Sequence, residues 1–176
     1  YYQYLYNVPV EKYHSSSFSM INVGNALEGI PLVDSLENKG RGKNYGAEIT
    51  IEKFFSKHYY FLTTLSVYQS KYKGSDGIEH STSYDGGYVL NALGGYEFSL
   101  GKKKNKFISL DLKYTQAGGN RYTPIDLEQS NLQGKTIYFD SQALRKKQKD
   151  YFRFDVKLSY KTKRKKTSQF IFITVE

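Results

Sequence analysis

Cysteine is absent from this 176-residue chain, and so is tryptophan. Without cysteine there is no disulfide framework, no thiolate nucleophile and no cysteine-based metal site. Long apolar runs are missing too. Mean hydropathy is −0.63, and no stretch reaches the roughly 18 apolar residues that a membrane-spanning helix needs. That does not exclude a transmembrane β-barrel, whose strands carry a weaker signal. Helical periodicity is scarce, and the best candidate is 140–149 (DSQALRKKQK), one or two turns inside a loop. Enzyme signatures are lacking as well. His14, His58 and His80 fall in separate loops or turns without metal-ligand spacing and read as solvated. Asp126 and Glu128 form a carboxylate pair with no partner acid, base or nucleophile. Residues 74–77 (GSDG) lack the ligand series of a calcium loop, and no phosphate-cradling glycine loop occurs. The chain reads as non-enzymatic, with no cofactor and no metal. No signal peptide opens it at Tyr1, so either a leader was removed or the sequence belongs to a longer chain.

What the chain does have is alternation. In 151–160 (YFRFDVKLSY), Phe152, Phe154, Val156, Leu158 and Tyr160 share one parity. Tyr151, Arg153, Asp155, Lys157 and Ser159 take the other. Successive side chains of an extended chain point to opposite faces. The stretch therefore builds one apolar face and one charged face, whereas a helix would mix the two sets. Residues 107–116 repeat the device, with Ile108, Leu110, Leu112 and Tyr114 against Ser109, Asp111, Lys113 and Thr115. Strands of roughly 9–11 residues cross a bilayer, apolar toward lipid and polar toward a wet lumen.

Similar strands are expected at 1–10, 36–55, 59–72, 88–100 and 169–176, with a short one at 18–23, giving about seven or eight. The last, QFIFITVE, is apolar on both parities, so its faces are not assigned. Connections alternate in length: 56–58 short, 74–87 long, 101–106 short, 118–150 long, 162–166 short. Antiparallel neighbours then put all short turns at one end and all long loops at the other, the asymmetry of outer-membrane barrels. Lys57, 102–104 and 163–166 should cluster at one rim, away from Asp76, Asp85 and Arg121. The net charge of +9 raises nucleic acid as a partner, but the lysines sit in turns rather than on one strand face, so no nucleic acid is expected. Eighteen tyrosines and eleven phenylalanines suit strands, and tyrosine suits a membrane interface.

Several segments resemble the barrels of TonB-dependent outer-membrane receptors of the Bacteroidetes type. They are GRGKNYGAEITIEK at 40–53, YQSKYKGSD at 68–76 with YVLNALGGYEF at 88–98, the loop AGGNRYTPIDLEQS at 117–130, and the strands at 150–160 and 174–176. The resemblance runs through residues 1–176. It implies a 22-stranded barrel closed by an N-terminal plug, in the bacterial outer membrane. It also implies energy-coupled uptake of a scarce nutrient such as an iron chelate, cobalamin or a glycan. The chain would be a C-terminal segment of that barrel, lacking the plug and the N-terminal strands. Its partners would be outer-membrane lipid, its own plug and remaining strands, the TonB energy-transducing complex acting through the plug, and a surface lipoprotein.

The expected fold is thus all-β, an antiparallel up-and-down meander forming part of a transmembrane barrel. Ile108, Leu110, Leu112, Phe152, Phe154, Val156 and Leu158 are assigned to lipid. Asp111, Lys113, Arg153, Asp155 and Lys157 are assigned to the lumen, where opposite charges would pair across neighbouring strands. Arg121, Tyr122 and Asp126 are candidate ligand contacts in an extracellular loop. Two alternatives are a complete eight-stranded barrel with an adhesive or structural role, and a soluble carbohydrate-binding β-sandwich.

Overall fold

The structure is a computed structural model that describes residues 1–23, 35–102, 105–164 and 166–176. Among the described residues it is predominantly β, as the alternation requires. The strands are β1 (Tyr2–Glu11), β2 (Leu36–Ser56), β3 (Tyr59–Lys73), β4 (Glu79–Ser81), β5 (Tyr88–Leu100), β6 (Lys106–Ala117), β7 (Arg121–Tyr122), β8 (Lys146–Lys147), β9 (Tyr151–Lys163) and β10 (Ser168–Val175), with one α-helix, α1 (Leu127–Gln133). The main sheet is an antiparallel meander in the order β1-β2-β3-β5-β6-β9-β10, with β4 added to β3. β7 and β8 pair separately. Neither β1 nor β10 pairs with a second strand among the described residues, although Val10 of β1 forms an isolated bridge to Ser19.

Two compact units divide the chain. The strand unit comprises 48–66, 88–117 and 150–176, and the loop unit comprises 1–47, 67–87 and 118–149.

In the strand unit the register between β5, β6, β9 and β10 fixes the faces. One face carries Phe98, Ile108, Tyr160 and Ile171 in a row, then Tyr96, Leu110, Leu158 and Ile173, then Gly94, Leu112, Val156 and Val175, then Ala92, Tyr114 and Phe154. Its two central rows are aliphatic apart from Tyr96 and Gly94, and aromatic side chains mark both margins. The opposite face carries Glu97, Ser109, Ser159 and Phe172, then Gly95, Asp111, Lys157 and Thr174, then Leu93, Lys113 and Asp155. This register also assigns the final strand: Ile171, Ile173 and Val175 join the apolar face, while Phe170 and Phe172 lie among the charges.

No apolar side chain described in the strand unit is buried; Ser159 and Thr162 are its buried residues. Phe152 is 73% exposed, and Phe154, Leu158, Leu110 and Leu112 are exposed too. Val156 and Ile108 are half-buried by their neighbours. The exposed apolar side chains run across β5, β6, β9 and β10, a contiguous patch of the kind that marks an interaction or membrane surface.

Turns hold the register. Lys57 and His58 both adopt positive φ, 51° and 73°, the left-handed pair that a two-residue hairpin needs. The amide of Glu97 donates to the carbonyl of His58, and that of Lys163 to Asn105. Lys57, Lys102, Lys163 and Arg164 therefore sit at the turn end of the strand unit. Asp76, Asp85 and Arg121 belong to the loop unit. Lys103, Lys104 and Lys165 lie outside the described residues.

Several local expectations change. Residues 20–22 form a 3-10 turn capped by Ser19, not a strand; the Ser19 hydroxyl satisfies the Ile21 amide that a ladder would have used. The α-helix lies at Leu127–Gln133, where Asp126 caps its start and Gly134, at φ 64°, ends it. The 140–149 segment holds only a 3-10 turn, Asp140–Gln142, and the two residues of β8. β1 runs past Pro9 to Glu11, accommodated by register shifts between Leu5 and Pro9. The loop at 74–87 contains β4.

Because the chain has no native thiol, the register is directly testable. Leu112→Cys with Val156→Cys, directly opposed on β6 and β9, should cross-link readily on mild oxidation. Leu112→Cys with Tyr160→Cys should not, and equal yields would contradict the register.

Candidate functional site

Two constellations carry polar chemistry, one in each unit. On the charged face of the strand unit, Asp111 stands opposite Lys157 and Lys113 opposite Asp155. The side chains choose other partners. Tyr60 donates its hydroxyl to Asp111 Oδ1 at 2.9 Å, and Gly95 makes that contact possible: a Cβ there would collide with Asp111 Oδ1 and the Tyr60 ring. Arg153 reaches Asp155 Oδ1 through Nε and Glu176 Oε1 through Nη2, both at 2.7 Å. The Lys157 ammonium lies 5.5 and 5.1 Å from the ring centres of Phe170 and Phe172, within cation–π range. Tyr60, Asp111, Lys157, Ser159 and Phe170 help to line a depression of about 250 Å³. The register thus opposes the charges as expected, but β3 and β10, which sequence reasoning had not placed beside them, supply the closer partners.

The loop unit is organised by Asp85, only 2% exposed. Its carboxylate accepts from the Ser70 amide at 3.0 Å and from Lys71 Nζ at 2.8 Å. Arg121 Nε lies 3.4 Å from Asp85 Oδ2 and donates to the Asp85 carbonyl at 3.0 Å. Burial alone would raise the carboxyl pKa. The hydrogen bonds from Lys71, Ser70 and Ser81 outweigh burial and hold it below the usual carboxylate value. The backbone closes in alongside, since a Cβ on Gly118 would meet the Gly86 carbonyl oxygen and one on Gly86 would meet the Gly118 oxygen. The result is a clasp between the end of β3, the 82–87 turn and β7.

His80 is not solvated. It is 9% exposed, its Nε2 lies 2.7 Å from Asp76 Oδ2, and its ring packs 5.4 Å from that of Tyr72. β4 draws it inward by pairing His80 directly with Tyr72. A cavity of about 500 Å³ opens beside it, lined by Ser15, Asp76, His80, Arg121, Asp140 and Arg145 among others. Of the three loop residues singled out in the sequence, Arg121 lines this cavity. Asp126 instead caps α1, accepting from the Gln129 amide at 3.0 Å, and Tyr122 is exposed on β7. The three do not converge. No group of three or more metal-ligating side chains occurs among the described residues.

Sequence reasoning missed Lys71, Asp76, His80 and Asp85 as a constellation. The signal available was the spacing of Asp76 and His80 beside a strand end, together with an aspartate before two glycines. Comparison with protein-family models, curated proteins and solved structures gives no match.

The lowered Asp85 pKa has a definite pH signature. Its contribution is fully present above the unfolded carboxylate value of about 3.9 and is lost as pH falls through the still lower folded value. Protection factors of amides in 68–87, corrected for the intrinsic exchange rate at each pH, should hold from pH 7 to 5 and fall below about pH 4. Asp85→Asn should remove that step and destabilise the clasp at pH 7 by about 3 kcal/mol, the low end for breaking a buried pair because Lys71 and Arg121 can rehydrate. An unchanged pH profile in the variant would contradict the assignment.

Proposed function

We propose that this chain forms part of the wall of a transmembrane β-barrel in a bacterial outer membrane, within a receptor of the TonB-dependent type that takes up a scarce nutrient. The observation that carries the reading is the apolar face of the strand unit, largely aliphatic at its centre, aromatic at its margins and left exposed among the described residues. Hydrocarbon solvates such a face and the interfaces on either side suit aromatic rings. The opposite face, with Asp111, Lys113, Arg153, Asp155 and Lys157, suits a hydrated lumen. The short basic turns suit the periplasmic side and the long connections the extracellular side.

An open sheet edge is not tolerated in lipid, because each unpaired backbone group there costs several kcal/mol. On this reading the free edges of β1 and β10 pair with further strands of a longer polypeptide, closing a barrel of the 22-stranded kind around a plug. The nutrient, an iron chelate, cobalamin or a glycan, meets the extracellular loops, and the 500 Å³ cavity beside Arg121 is where a contact falls. Energy arrives through the plug from the TonB complex, and a surface lipoprotein would engage the loops. The chain performs no chemistry on the ligand and needs no cofactor.

Two substitutions on β9 test the orientation. Val156→Arg, in the full-length protein folded in vesicles, should cost about 2–4 kcal/mol near the bilayer midplane. Asp155→Lys, on the facing side, should cost no more than about 1 kcal/mol, the scale of a cross-strand charge contact. Denaturant titration in the bilayer measures both. Equal costs, or a protein that stays monomeric in water without detergent, would overturn the proposal.

A further inference from the structure

Within the strand unit, β2 turns into β3 at Lys57, β5 into β6 after Leu100, and β9 into β10 after Lys163. These hairpins are consecutive in the sheet order. With strands about 4.8 Å apart, successive turns stand about 10 Å apart across the sheet, so three of them span about 20 Å. The amide of Glu97 donates to the His58 carbonyl. The β2–β3 turn is therefore level with Glu97, short of the β5–β6 turn, the stagger that tilted strands require.

Each turn is cationic. Lys57 lies on the first, Lys102 on the second, and Lys163, Arg164 and Lys166 on the third; all five are exposed, as is Lys106 at the start of β6. None of the six forms an ion pair among the described residues. The acidic positions nearest in sequence, Glu52 and Glu97, precede Lys57 and Lys102 by about a strand's length and leave the row uncompensated. A row of one sign draws a partner of the other. Its span calls for an extended polyanion rather than a small anion.

Depth distinguishes the polyanions available at a membrane. The last row of the apolar face contains Phe98, Ile108, Tyr160 and Ile171. Lys163 follows Tyr160 on β9 by about 10 Å of strand, or about 7 Å along the membrane normal at the usual tilt of about 45°. The polar layer on each side of a bilayer is about 5–8 Å deep. Arg164 and Lys166, on the turn beyond, reach its outer limit. Of the six cations only Lys106 shares the parity of the apolar face, where a head group would sit.

Resting on the membrane reading above, we propose that this basic rim binds the carboxylate-bearing stem peptides of the peptidoglycan network beneath the outer membrane. The network offers repeated carboxylates on an extended polymer outside the polar layer, which matches cations repeated on successive turns. The contact would tether the barrel wall and is separate from the loop cavity beside His80.

The test sediments the full-length protein, held in zwitterionic detergent, with purified peptidoglycan sacculi. Wild type should bind saturably at about 0.05 M salt and come off at about 0.5 M, where screening shortens the reach of exposed charges. Sacculi with amidated carboxyl groups should not hold it. Lys57→Gln, Lys102→Gln, Arg164→Gln and Lys166→Gln together should weaken binding about thirty-fold, the scale of four exposed ion pairs. The charge-keeping set Lys57→Arg, Lys102→Arg, Arg164→Lys and Lys166→Arg should retain most of it, which separates loss of charge from loss of fold. Unchanged binding in the glutamine variant, or equal binding to amidated sacculi, overturns the proposal. Complete displacement by micelles of anionic phospholipid assigns the rim to head groups and overturns it as well. A protein that inserts into bilayers but does not bind sacculi overturns this inference and leaves the barrel reading standing; one that stays monomeric in water without detergent overturns both.

Discussion

A sheet face built of leucine, isoleucine, valine and phenylalanine must lie against something apolar. In the strand unit no described residue meets that need. Each Å² of apolar surface left in water forgoes about 25 cal/mol of burial, and this face leaves side chains of four neighbouring strands exposed. A contiguous apolar patch marks a surface that meets lipid or another protein layer. On the proposed reading, lipid supplies that cover.

The charged face is organised on different terms. Its ions are arranged as short local pairs, Arg153 with Asp155 and Glu176, or as mixed contacts such as Tyr60 with Asp111 and Lys157 over Phe170 and Phe172. Such a face is comfortable in water and carries little stability of its own. In the loop unit the balance differs: one carboxylate, Asp85, is withdrawn from solvent and surrounded by donors from β3 and β7. That arrangement orders loops that would otherwise hold few apolar contacts, and it gives the cavity beside Arg121 and His80 fixed walls. The buried apolar side chains of the described structure, Val10, Tyr72 and Ala143, all belong to this unit.

Much of the architecture was legible in the sequence because period-two alternation is a local property. The strands at 88–100, 107–117 and 151–161, and the faces of the last two, follow from neighbouring residues alone. The last strand was not legible, since Phe170, Ile171, Phe172 and Ile173 offer no contrast between parities; pairing with Tyr160, Ser159 and Leu158 decides it. Helix α1 was passed over for the charged 140–149 run, although Asp126 and Gly134 are ordinary start and stop signals. The Asp85 clasp could not be read at all. Its partners lie 14, 15 and 36 positions away, and only the fold brings them together. For the same reason Arg121, Tyr122 and Asp126 looked like one loop site, while helix capping claims Asp126 and the clasp claims Arg121.

The central claim is an orientation: the face of β9 that carries Phe154, Val156 and Leu158 looks into hydrocarbon, while Asp155 and Lys157 look into water. Single spin labels at 153–158, placed on introduced cysteines in the full-length protein reconstituted into bilayers, measure this residue by residue through collision with oxygen, which concentrates in lipid, and with a water-soluble nickel chelate. The account predicts strict alternation, with oxygen contact high at 154, 156 and 158 and chelate contact high at 153, 155 and 157. Uniformly low collision with both reagents at 154, 156 and 158, as in a dry protein core, would contradict it.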